Sequence, residues 1–150
     1  MPRSFIAELI PEQFSPWVDN PDKVNNILEL CTGSGCLPIM LADAFPNAHV
    51  DAVDISTDAL EVAKRNVAEY ELEHRINLIE SDLYANVPEY KFDLIITNPP
   101  YVNSGSMGKL PPEYLREPQI ALAGGTDGMD LVRKICLLYT SDAADDLLCV

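Results

Sequence analysis

The chain has 150 residues, 47% of them hydrophobic, which suits one globular domain better than two. Its net charge of −14 repels phosphate backbones and argues against free DNA or RNA as a general partner. No apolar run approaches the roughly eighteen residues of a membrane span, and Glu8 interrupts what would be the apolar core of a secretory signal.

In chain order, "SFIAELI" reads as a short helix, and Pro11 and Pro16 break the segment after it. "NNILEL" predicts a first strand ending near Leu30. "CTGSGC" is a glycine turn, and "LPIMLADAF" predicts a helix. Pro38 fits only that helix's first turn, where its missing N–H is not needed, so the helix starts within a residue or two of Gly35. "AHVDAVDIS" predicts a second strand ending at Asp54. Ser56 is placed to cap the next helix, and Asp58 suits its positive end. Leu60, Ala63, Val67 and Tyr70 would form its buried stripe. "RINLIESDL" and "KFDLIITN" predict a third and a fourth strand, and "DGMDLVRKI" starts another helix.

Strands alternating with helices indicate an α/β fold, a parallel sheet with helices on both faces. Between Val102 and Asp127 prolines and glycines dominate, and no regular element is expected there. Long irregular segments of this kind are often lids or binding loops. Cys31, Cys36, Cys136 and Cys149 lack metal-ligand spacing and are expected to be reduced, buried thiols of a cytoplasmic protein, with no metal site. His49 and His74 sit among polar neighbours and are expected at the surface.

Three strand ends carry candidate chemistry. In "ELCTGSG", Gly33 and Gly35 allow a tight turn and a close approach of backbone to a ligand. The dinucleotide fingerprint is incomplete, because Pro38 stands at its last position. Asp54 ends the second strand about twenty residues on, where a carboxylate can accept both ribose hydroxyls of a nucleoside. It could equally cap a helix, although Ser56 is available for that. Asp82, in "ESDL", is expected to end the third strand, where it could accept from an adenine amino group or cap a loop. All these ends converge outside the carboxyl edge of the sheet, where ligands of such folds bind.

The fourth strand runs into "TNPPY". A residue before proline is pushed to an extended conformation, so Asn98 prolongs the strand and projects its amide. Neither Pro99 nor Pro100 has an N–H, which leaves the Pro99 carbonyl free beside the Asn98 side-chain oxygen. Two rigid acceptors suit a planar –NH₂ group. Holding both hydrogens lets its nitrogen pyramidalise and localise its lone pair as it attacks. Tyr101 can lie on the planar group and fix its orientation.

"ELCTGSG", "VDAVDIS", "SDL" and "NPPY", in that order, resemble the class I S-adenosylmethionine-dependent methyltransferases that act on planar nitrogens. The chain is most similar to the protein glutamine N(5)-methyltransferases, which modify translation proteins. "PRSFIAELI", "CTGSGC" and "LPPEYLREPQIALAGGTDGMDLVRKI" are similar to the branch acting on the third protein of the large ribosomal subunit. The branch acting on release factors is the neighbouring alternative. Adenine-N6 methyltransferases share "NPPY" but fit the acidic charge less well.

The resemblance covers residues 2–135 and implies a Rossmann-like methyltransferase domain using S-adenosylmethionine. It implies that Cys31, Thr32, Gly33, Ser34 and Gly35 line the methionine and ribose end of the cofactor. Asp54 would hold the ribose, Asp82 and Leu83 would flank the adenine, and Asn98, Pro99, Pro100 and Tyr101 would grip the glutamine amide, with Asn98 also beside the cofactor. Arg3 and Glu8 match an N-terminal element beside the site. Glu29 stands where the family usually has Asp, one methylene shorter, and would face the cofactor's amino group. Phe5 replaces a proline, and Pro38 replaces a small residue.

The family's N-terminal helical domain and its last strands are expected to be absent. The tail "CLLYTSDAADDLLCV", residues 136–150, matches nothing in the family and reads as translated adaptor sequence. Without a fifth strand, "FDLIIT" would be an open apolar edge, so the chain alone is expected to be poorly soluble and weakly active.

Overall fold

A computed structural model describes residues 5–108 and 122–142. The described residues form two units, one reaching Asn98 and one beginning at Pro99.

The first unit is built on four parallel strands: β1 (Asn26–Leu30), β2 (His49–Asp54), β3 (Ile76–Glu80) and β4 (Leu94–Thr97). Their order is β3-β2-β1-β4. The chain winds outward from β1 to β3 and then returns to the other side of β1, so the direction of winding reverses between β1 and β4. Ligands of open parallel sheets bind at such a reversal, outside the carboxyl ends of the strands.

The near-continuous burial of β1 and β2 explains why their interiors are apolar apart from Glu29 and Asp51, because central parallel strands are covered on both faces. Helices α2 (Cys36–Ala44) and α3 (Thr57–Glu69) connect the strands. One face presents Ile27, Val50, Ala52, Ile76, Leu94 and Ile96, and these join Leu37, Leu41, Phe45 and Val67 in a single cluster. Arg75 closes the lower end, donating from Nη2 to the carbonyls of Phe45 and Ala48 at 2.7 and 2.6 Å. Before the sheet lie a short helix, α1 (Ile6–Leu9), and Phe14, which stacks on Phe45 with centroids 6.2 Å apart.

Local rules account for the boundaries. Pro38 lies in the first turn of α2, as expected, and Gly35 caps that helix at φ +79°. The Ser56 hydroxyl accepts from the Ala59 N–H at 3.3 Å, so the expected cap of α3 is present. Two expectations need correction. Tyr70 is 65% exposed and lies outside the buried stripe, because the chain leaves the helix there through Glu71 at φ +59°, and Leu72 packs against the core instead. Asp82 lies beyond the end of β3, which is Glu80.

The start of β4 is tied to β1 by Asp93, whose Oδ2 accepts from the backbone N–H groups of Asn25 and Asn26 at 2.8 and 3.0 Å. At the other end, the Thr97 hydroxyl donates to the Leu30 carbonyl at 3.2 Å. Among the described residues β4 pairs with β1 alone.

The second unit contains α4 (Ser104–Met107), α5 (Asp130–Asp142) and a parallel bridge between Val102 and Ala123. The single-turn α4 falls in the segment expected to be irregular. Helix α5 runs without a break through residue 136, the expected boundary of the tail. The thiols of Cys31 and Cys36 are half-buried and that of Cys136 is exposed, all three free, so the expected burial is only partial. His49 and His74 are exposed, as expected. Arg3, Cys149 and residues 109–121 of the stretch after "NPPY" lie outside the described residues.

Candidate active site

The turn after β1 has a backbone that ordinary side chains rarely adopt. Cys31, Gly33 and Gly35 have φ of 64°, 57° and 79°. At Gly33 an added Cβ would meet no described residue within 4 Å, which leaves room above it for a ligand. At Gly35 it would lie 2.9 Å from the Ala63 Cβ, so this glycine serves the approach of α3 to the turn.

Asp54, at the end of β2, faces this turn. Its Oδ2 accepts from the Gly33 N–H at 2.8 Å and its Oδ1 from the Ser56 N–H at 2.9 Å. Each carboxylate oxygen keeps a second lone pair for an incoming hydroxyl. Asp54 therefore both shapes the loop and remains an acceptor.

Glu29 is the most unusual group. It is 0% exposed, and neither carboxylate oxygen makes a hydrogen bond among the described residues. Burial pushes its pKa up to about 8. The Thr32 hydroxyl beside it opposes that shift without a hydrogen bond of ordinary geometry, and the Asp54 charge adds to it. Thr32 Oγ1 is also buried and unsatisfied. An uncompensated buried carboxylate next to an uncompensated hydroxyl calls for a cationic donor from outside. The ammonium of an amino-acid moiety fits that requirement, so the residues present suit S-adenosylmethionine.

Burial, then the charges of Asp54 and Glu29, push the Cys31 thiol up to about 12, partly opposed by Thr97. It remains a neutral thiol at ordinary pH and is a poor nucleophile.

Beside β2 and β3 a cavity of about 390 Å³ is lined by Ile55, Glu80, Ser81, Asp82 and Asn86. Asp82 is exposed there, and Leu83 is buried at φ +53°. Ser81 holds this turn by donating to the Leu83 carbonyl and accepting from the Asn86 N–H, both at 2.9 Å. Ile55 was missed in the sequence. It is 53% exposed directly after Asp54, and an isoleucine immediately following a strand-ending aspartate was the signal available in the sequence.

Asn98 follows the last residue of β4 and is half-buried. Alternation along the paired strands puts it on the same side as Glu29 and Asp54. Glu29, Thr32, Gly33, Asp54 and Asn98 thus belong to one unit and to the ends of β1, β2 and β4. Pro99, Pro100 and Tyr101 begin the second unit, where Tyr101 is 64% exposed. Glu8 is exposed on α1. No cluster of potential metal ligands occurs among the described residues.

The family model described as "Methyltransferase small domain" matches residues 13–121. The chain belongs to that family. This methyltransferase domain is 58% identical over 142 residues to the ribosomal protein uL3 glutamine methyltransferase of Burkholderia pseudomallei, covering 90% of the chain and 46% of the relative. It is 59% identical over 135 residues to the protein of that name from Bordetella pertussis, covering 90% and 45%. The chain therefore spans a little under half the length of these curated relatives. Among solved structures, the hMettl16 catalytic domain superposes with a TM-score of 0.64 at 16% identity, covering 88% of this chain and 51% of that one. That likeness concerns the fold.

Proposed function

We propose that this methyltransferase domain transfers a methyl group from S-adenosylmethionine to the side-chain amide nitrogen of a glutamine in large-subunit ribosomal protein uL3. The observation that carries the reading is Glu29, a fully buried carboxylate without a hydrogen-bond partner among the described residues, on β1 beside β4, which leads into Asn98. The relatives' names supply the acceptor.

The bound cofactor supplies an electrophilic methyl group on a sulfonium. Glu29 and Thr32 would receive its ammonium, Asp54 its ribose hydroxyls, and Ile55, Asp82 and Leu83 its adenine. Cys31, Ser34 and Gly35 shape the loop around its methionine end. The acceptor amide donates its two hydrogens to the Asn98 side-chain oxygen and the Pro99 carbonyl, with Pro100 keeping that carbonyl free of a competing N–H and Tyr101 lying on the amide plane. Held in this way, the amide nitrogen would present its lone pair to the methyl group that the cofactor would supply. The nitrogen then gives up one proton to solvent. Because both acceptors strengthen their grip as positive charge develops on nitrogen, they favour the transition state over the ground state. No described helix is long and apolar enough to cross a membrane, and a ribosomal acceptor would support a cytoplasmic reaction.

The test uses the protein expressed with the sequence that flanks it in its source. It is incubated with labelled S-adenosylmethionine and, separately, with unmethylated uL3, a release factor and an adenine oligonucleotide. Label is expected on a uL3 glutamine. In Asn98→Ala, kcat should fall by about 10²–10³, the scale of losing one transition-state hydrogen-bonding group. Label confined to the release factor or to adenine would refute the choice of acceptor.

A further inference from the structure

The stretch "GGTDG", Gly124 to Gly128, makes a close backbone contact that the methyl-transfer step itself does not use. At Gly124 an added Cβ would stand 2.7 Å from the Tyr101 Cα and 2.7 Å from the Gly128 carbonyl oxygen. At Gly128, with φ +84°, it would overlap the Tyr101 carbonyl oxygen. Both glycines are thus required by contact with the backbone of one residue, and Gly128 by its conformation as well.

Hydrogen bonds fix the same contact. The Val102 N–H donates to the Leu122 carbonyl at 2.9 Å, and the Gly124 N–H donates to the Val102 carbonyl at 2.8 Å. The Ser104 N–H donates to the Gly125 carbonyl at 3.0 Å. From the far side, Asp130 holds the turn, its N–H donating to the Gly124 carbonyl at 3.2 Å and its Oδ2 accepting from the Thr126 N–H at 3.2 Å. Arg133 pairs with Asp127 within the turn. The Tyr101 side chain, by contrast, is 64% exposed. The main chain of this residue is clamped while its ring is left free.

We propose that the 124–128 turn is a backbone clamp on Tyr101, and that Gly124 and Gly128 are positioning residues that hold its ring where it meets the acceptor amide. The catalytic half of the proposal rests on the glutamine methyltransferase function. A Cβ added at either glycine meets the Tyr101 backbone well inside 3.0 Å, so that backbone should shift by about an ångström while Glu29, Thr32 and Asp54, in the other unit, stay as they are. The signature is lost turnover with cofactor affinity retained.

The experiment compares the flank-extended wild type with Gly128→Ala, Asp130→Ala and Gly108→Ala. Gly108 has φ −77° and no described residue within 4 Å of an added Cβ, so it serves as the comparison glycine of the same unit. Hydrogen exchange of the segments holding the Val102 and Gly124 amides is measured together with S-adenosylmethionine Kd, thermal midpoint, and kcat and KM for uL3. Gly128→Ala should exchange faster in both segments and lose about a hundredfold in kcat, the scale expected of an ångström-sized misplacement, with Kd for the cofactor unchanged. Asp130→Ala, which touches no Tyr101 atom, should show the same pattern more weakly and keeps the test open if Gly128→Ala fails to fold. Gly108→Ala should match wild type. Unchanged exchange in Gly128→Ala and Asp130→Ala would overturn the clamp. Faster exchange with unchanged kcat, or a proportionate loss of cofactor affinity, would overturn the positioning role. A wild type that methylates no uL3 would refute the glutamine methyltransferase function and the catalytic half with it, while exchange still decides the clamp.

Discussion

Glu29 shows how one side chain links stability, pH and ligand binding. Its pKa is about 8 in the folded chain against an ordinary value of 4.5. Between those values the folded state holds a proton that the unfolded chain has released, so its contribution to stability falls as pH rises from about 4.5 to about 8. Glu29→Gln removes that dependence. Without cofactor, the variant should melt higher than wild type at pH 8.5, with a smaller difference at pH 5, as calorimetry at the two pH values would reveal. Cofactor binding should respond in the opposite way. A cation held by Glu29 needs the carboxylate, so wild-type affinity should weaken about tenfold for each pH unit below about 8. In Glu29→Gln affinity should be low and nearly flat with pH, which titration calorimetry would check. Stability gained where binding is lost would identify the buried acid as a ligand group held at the expense of the fold.

At the scale of elements, the packing of turn against helix is the sharpest constraint. Gly35→Ala sets a methyl group 2.9 Å from the Ala63 Cβ and a side chain at φ +79°. The expected loss is about 2 kcal/mol or more in chemical denaturation. Adding Ala63→Gly should restore the space but not the backbone conformation, so recovery should be partial. The four strands, the first-turn proline and the Ser56 cap were legible in the sequence because each depends on neighbours a few residues away. Tyr70 was misread because the helical period continues in the letters after the backbone has turned at Glu71. The Gly124 and Gly128 contact with Tyr101 was illegible for another reason, since it joins segments more than twenty residues apart and no local pattern records it. Asp54 was readable as an acceptor, but its two backbone donors appear only once the turn folds back over the end of β2.

For the whole molecule, the edge position of β4 and the identity of the tail make one experiment. We propose that residues 136–150 are foreign to the methyltransferase domain, so replacing them with a polar linker should leave S-adenosylmethionine affinity unchanged. A loss of affinity would show that the tail supports the fold. The unextended chain should self-associate in size-exclusion chromatography, because β4 pairs on one side only among the described residues. Ile95→Lys, on that strand and half-buried, should shift the population toward monomer.

The strand order also separates the two halves of the proposed site along the chain. Glu29, Thr32 and Asp54 lie within a short early segment, whereas Asn98 is carried by β4, which reaches β1 only after the β1–β3 winding is complete. Edge elements open at lower free energy than central ones. On warming, β4 should therefore loosen while β1 and β2 still hold together. The result is a temperature window in which the protein takes up cofactor but transfers nothing, and loses its catalytic half reversibly on heating. Parallel thermal profiles of cofactor binding and methyl transfer, with recovery measured on cooling, would reveal that window as a gap between the two midpoints.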